Sequence, residues 1–130
     1  MGGVKEFKRR PERSIEHRKF SEPDELQEFE LRKVETVSLG GETFSRVTYE
    51  PGWRWSTHVK PVANTLSCKV RHLSLIVSGR LHVLLDTGDE YEFGPGEVGE
   101  IPTGHDAWVV GDKAVVTIDI SGTEYYGTKK

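Results

Sequence analysis

Three of the five histidines in this 130-residue chain, His58, His72 and His105, fall within two short segments, 52–79 and 96–105. Each lies in or beside a run rich in β-branched and aromatic residues, with glycine or proline close by. Neutral imidazoles suit borderline divalent metals such as Fe, Zn, Ni, Co or Cu better than Ca or Mg. A site of three imidazoles without a carboxylate keeps the full +2 charge of its ion. That favours binding an anion, polarising a carbonyl or acidifying a bound water. One divalent transition metal is therefore the expected cofactor, and a small anionic or carbonyl-bearing molecule the expected partner. His82, between Leu81 and Val83, is read as structural or outward-facing, and His17 as solvated.

Other side chains near these histidines could serve a substrate. Lys60 could orient a carboxylate or act as a general base if buried; the plainer reading is a solvated loop lysine before Pro61. Arg54 and Arg71 are candidates for carboxylate recognition, with surface ion pairs as the alternative. Trp55, with Trp53 and Trp108, either walls an aromatic pocket or fills the core. Cys68 reads as an inert buried thiol.

Imidazoles spaced along strands converge only if the strands curl round a common interior, so the elements matter. Ser21 to Glu25 carries an N-cap serine, a proline just inside and acids in the first turn, which predicts a short helix through Leu26 and Phe29. Beyond it the pattern is β. A hairpin is expected around Gly40-Gly41, then strands over 53–59, 69–78, 81–85, 98–101, 107–110 and 114–120, with turns at 86–89, 94–96, 102–104 and 111–112. Residues 60–67 read as a loop over the barrel mouth. Many short strands and a single helix mean an all-β sandwich or barrel. Side chains in strands alternate, so His58 is expected to share a face with Arg54 and Ser56, His72 with Ser74 and Ile76, and His105 with Ala107 and Val109.

Composition narrows the classes. A formal charge of -3 and a pI near 6.0 give no basic field for nucleic acid. No apolar run approaches the roughly 20 residues of a membrane-crossing helix. One cysteine and a charged N-terminus without an apolar signal core fit a cytoplasmic protein. The expected organisation is a charged arm over 1–33, a barrel over 34–122 and a polar tail over 123–130.

Residues 34–120 resemble the cupins, small double-stranded β-helix (jelly-roll) barrels marked by G-x5-H-x-H-x(3,4)-E-x6-G and G-x5-P-x-G-x2-H-x3-N. Gly52 stands six positions before His58, and His72 occupies the glutamate position, with Gly79 at the expected distance. Gly96, Pro102 and Gly104 match the second motif. Lys60 replaces the second histidine, the loop before His72 is longer, and Ala107 and Gly111 stand at the later histidine and asparagine positions. His105, two residues early, keeps the strand parity of position 107. The resemblance implies a jelly-roll, a three-histidine site and a dioxygenase-like or isomerase/lyase-like activity; a metal-free binding or sensory cupin is the alternative. It also implies a homodimer; sheet edges that need cover and the β-rich start after the charged arm put 21–49 at its interface, with Phe29, Val34 and Phe44 among the apolar contributors.

Overall fold

The computed structural model describes residues 14–59 and 72–122. Lys60, Arg71, Cys68 and the expected mouth loop lie outside the described residues, as do the first 13 residues, the 123–130 tail and the side chain of His72. Among the described residues nine strands form two antiparallel sheets. β1 (Glu25–Phe29), β2 (Arg32–Leu39), β3 (Glu42–Tyr49), β4 (His72–Ser78), β7 (Val98–Ile101) and β9 (Val115–Gly122) make a six-stranded sheet in the order β1-β2-β3-β9-β4-β7. β5 (Leu81–Leu85), β6 (Glu90–Phe93) and β8 (His105–Val109) make a three-stranded sheet in the order β6-β5-β8. From β4 onward the chain passes repeatedly between the sheets, the winding of a jelly-roll.

The expected Gly40-Gly41 turn closes β2 on β3, with Leu39 opposite Glu42 and both glycines at positive φ, 64° and 83°. Two positive φ values are what a tight hairpin turn requires. At Gly79, where the chain leaves one sheet for the other, φ is 81° and a Cβ would collide with the carbonyl oxygen of Ala114.

Two local expectations are corrected. Residues 25–29 form a strand, not a helix. Glu25 to Phe29 pair in register with Thr36 to Arg32, and the Asp24 N–H donates to the Thr36 carbonyl at 2.8 Å. The Asp24 carboxylate, read as part of a helix N-terminus, instead accepts from Arg18 and from the Ser38 N–H. An available sheet edge outcompetes a five-residue helix with little to bury: every residue of β1 is exposed. Residues 53–59 are likewise not a strand. Only Arg54 bridges β8, at Trp108, before the chain turns into a one-turn helix, α1 (Trp55–His58).

The core lies between the sheets. Val47, Tyr49 and Val115 face Leu81, Val83 and Val109, and both Trp53 and Trp55 are buried among them. Tyr49 and Trp53 meet at 4.4 Å between ring centroids. The Trp53 indole N–H is buried without a hydrogen-bond partner.

Candidate functional site

The two sheets bring one end of the interior together. β7 ends at Ile101, opposite position 72 of β4, and only 102–104 separate it from His105 at the start of β8. His105 and position 72 therefore enter at the same end of the barrel. Along β8 the burial pattern puts His105, Ala107 and Val109 inside, with His105 only 3% exposed. Its parity is the one expected from the sequence. The Nδ1 of His105 lies 2.7 Å from the Pro102 carbonyl oxygen. A carbonyl only accepts, so Nδ1 carries the proton, and in the neutral ring Nε2 carries the lone pair. This is the arrangement by which a backbone carbonyl orients a metal-binding imidazole.

His58 reaches its place by another route. Trp55 anchors α1 in the core, and His58, three residues on, lies on the same side of the turn. Its Nδ1 is 3.1 Å from the Arg54 N–H and 3.2 Å from the Arg54 carbonyl, so the ring folds back over the start of the helix. With Nδ1 held there, Nε2 is the nitrogen that points away from α1. Asp106, on the outer side of β8, secures the turn by accepting from the Ser56 N–H at 3.0 Å and from Arg54 Nε at 3.2 Å. Arg54 also lies over the Trp108 ring, 4.0 Å from its centroid, and His82 stacks on that ring at 4.7 Å while bonding Glu90 at 2.7 Å. His82 thus belongs to the outer face, as read from the sequence. Arg54 is engaged with Asp106 and Trp108, and Trp55 is core.

The inner wall opposite these groups is polar. Thr36, Ser45, Asp119, Ser74 and Gly99 lie side by side across five strands. Asp119, 3% exposed, accepts from Ser74 at 2.7 Å and from Thr117 at 3.1 Å, and the Thr36 and Ser45 hydroxyls are 2.9 Å apart. Asp119 was missed in the sequence reading, although a carboxylate at a core-parity position of the run Val115 to Ile120 is a signal in itself. Beside this end a crevice of about 140 Å³ opens between β6 and β7, lined among others by Val83, Leu85, Phe93, Ile101 and Pro102. Two of its lining residues neighbour the histidine: Leu85 is the cross-strand partner of His105, and Pro102 supplies the carbonyl that its Nδ1–H meets.

Among the described residues no group of three His, Cys, Asp or Glu side chains is placed to hold a metal ion. The described donors of the expected set are His58 and His105; His105 leaves Nε2 as its basic nitrogen, whereas His58 does so only in the tautomer whose Nδ1–H donates to the Arg54 carbonyl, and not in the one whose Nδ1 accepts from the Arg54 N–H. Of the third, His72, only the backbone is described.

Neither a family model nor a curated protein matches the sequence. Solved structures do resemble it. A cupin-like protein from Thermotoga maritima is 18% identical, with a TM-score of 0.52 over 75% of this chain and 72% of its own. A cupin-2 domain protein from Rhodospirillum rubrum is 16% identical, with a TM-score of 0.55 over 85% and 69%. The fold is a cupin fold. A structure from work on DMSP lyases shares it at 14% identity and a TM-score of 0.56, over 75% of this chain and half of that one. In this cupin barrel, no helix among the described residues is long and apolar enough to cross a membrane.

Proposed function

We propose that this cupin barrel binds one divalent transition metal through His58, His72 and His105, and presents it to a small anionic or carbonyl-bearing metabolite at the polar end of its interior. The observation that carries this reading is the buried His105 ring, fixed by the Pro102 carbonyl with Nε2 as its basic nitrogen. A bound metal would supply Lewis-acid polarisation or an acidified water. The chain's own contribution is to orient the imidazoles, line the interior with Ser74, Ser45 and Asp119, and admit a molecule beside Leu85 and Pro102. Reaction types compatible with such a site are oxygenation and isomerase or lyase chemistry, with Lys60 and Arg71 as candidate contacts to substrate.

A second reading, a ligand-binding or sensory barrel without metal, draws on His58: its Nδ1 is held by the backbone of Arg54, and Lys60 stands where the motif has a second histidine. Metal analysis of the full chain purified without added metal, followed by titration with Zn, Fe(II), Ni, Co and Cu, separates the two. About one equivalent of metal, lost in His105→Ala and in His58→Ala, is expected. Less than about a tenth of an equivalent with no uptake overturns the metal reading. Uptake that survives His105→Ala but not His82→Ala overturns the ligand set, since loss of a supporting partner costs only about 10–100-fold.

A further inference from the structure

The crevice between β6 and β7 differs in chemistry from the polar interior it adjoins. Val83, Leu85 and Ile101 give it an apolar floor, and Asp89, Glu90 and Glu100 line it with acid. Asp89 and Glu90 come from the entry to β6 and Glu100 from β7, so both banks carry a carboxylate. His82 bonds Glu90 at 2.7 Å, which still leaves Asp89 on one bank and Glu100 on the other. None of the described lining residues is basic. Two aromatic rings complete the wall: Tyr91 and Phe93 meet edge to face, 4.7 Å apart and inclined by 68°. Both rings are held in place. The Tyr91 hydroxyl donates to Glu97 at 3.1 Å, and Phe93 fills the space that a side chain at Gly99 would need. Tyr91 is nevertheless 54% exposed, so its ring is open to a ligand.

An apolar floor alone would accept any greasy molecule; the acids and the rings narrow the choice. Carboxylates repel an anion and attract a cation, and an aromatic face attracts a cation within about 6 Å of its centre. We propose that this crevice binds an ammonium group carried on a short apolar body. The body lies on Val83, Leu85 and Ile101, and the charge meets the Tyr91 and Phe93 rings and the carboxylates of Asp89 and Glu100. The volume, about 140 Å³, suits a body the size of one six-membered ring. A cavity of roughly 150 Å³ lined by aliphatic and aromatic side chains holds benzene. A bare metal ion would leave the apolar floor unused, and an anion would face acid on both banks. The link to the histidines rests on the function proposed above, through the proximity of Leu85 and Pro102 to His105. The metabolite taken there is then one with its cation on the crevice side and its carboxylate or carbonyl on the metal side.

Titration of the full chain, in excess chelator, with benzylammonium, benzyl alcohol and benzoate tests this, since the three probes share a ring and differ in charge. Amide NMR shifts at Leu85, Asp89 and Ile101 should report benzylammonium, with an affinity at least about 10-fold above that of benzyl alcohol, and no binding of benzoate. Asp89→Asn/Glu100→Gln keeps the shape and removes the charge. It should bring benzylammonium down to the level of the alcohol and leave the alcohol unchanged. The wild-type chain gives an arm that needs no variant: raising salt from about 0.01 to about 1 M should weaken benzylammonium and not benzyl alcohol. Equal affinity for the three probes, no shift at these residues, or an ammonium preference indifferent to salt or to the double variant overturns the proposal. Because chelator removes metal throughout, these failures are distinct from a failure to take up metal.

Discussion

The Ser74 hydroxyl donates to the Asp119 carboxylate across 2.7 Å, and the two residues face each other directly on β4 and β9. Both are buried, so neither partner has water to fall back on. Hydrogen bonds to charged acceptors contribute about 1.5–3 kcal/mol, and a buried acceptor that loses one of its donors keeps its desolvation cost. Ser74→Ala is expected to lower the unfolding free energy by about 1–3 kcal/mol. Urea unfolding checks it: the midpoint falls and the slope stays constant. An unmoved midpoint would mean that the pair contributes nothing.

Gly79 and Gly111 share a φ of 81° but not their surroundings. A Cβ at Gly79 runs into the backbone of Ala114 and comes within 2.7 Å of the Val115 Cα, whereas nothing lies within 4 Å of one at Gly111. Gly111→Ala should cost about 1–2 kcal/mol, the penalty of the left-handed conformation alone. Gly79→Ala should cost distinctly more, about 3–5 kcal/mol, because backbone must move. Thermal melts of the two variants side by side give the comparison; equal losses would refute the close approach.

Sequence patterning located most of the barrel because turn chemistry and alternation coincide there. Gly40-Gly41, the 86–89 turn and Gly104 all stand where strands reverse or begin. It failed over 25–29 and 53–59 for a physical reason: a pattern of local preferences does not know which sheet edge is free. Residues 25–29 joined β2, and residues 53–59 left β8 after one bridge because Asp106, 50 positions from Ser56, holds α1. Alternation therefore placed His105 correctly and His58 by an argument that does not apply to it. Asp119 was legible as an anomaly, and Thr117 is its neighbour on the same strand, but its partner Ser74 depends on the β4–β9 register, which only the fold supplies.

The dependence of α1 on Asp106 is testable. Asp106→Ala removes the acceptor of the Ser56 N–H and of Arg54 Nε. Loss of a helix cap costs about 0.5–2 kcal/mol. Because α1 carries His58, metal uptake in this variant should also weaken, by about 10–100-fold. A titration that matches the wild type would detach His58 from the site or Asp106 from His58; His58→Ala tells which.

Acid stability depends on the Glu35–Arg46 pair, 2.8 Å apart. The hydrogen bond from Arg46, aided by the charges of Arg46 and Lys33, holds the Glu35 carboxyl below the usual carboxylate range against the opposing effect of burial. A depressed folded-state pKa stabilises above the unfolded value, near ~4.3, and that stability is lost as pH falls through the folded value. Arg46→Met should therefore be less stable than wild type at pH 7, modestly because Arg46 is well exposed. The gap should close on acidification. Urea midpoints at several pH values between 7 and 3 check the sign; a gap that widens in acid would contradict it.

The inner face of the six-stranded sheet changes character along its length, from Val34, Val47, Tyr49 and Val115 to Thr36, Thr43, Ser45 and Ser74. The greasy half knits the two sheets together, and the hydroxyl half borders the histidines. Selection can thus act on the two halves separately. Exchanging a few small side chains in the hydroxyl half would alter which molecules the interior accepts, while the strands stay anchored from the other end. A library confined to Thr36, Thr43 and Ser45, with the Ser74–Asp119 hydrogen bond left intact, would sample new chemistries on a scaffold still anchored from the other end.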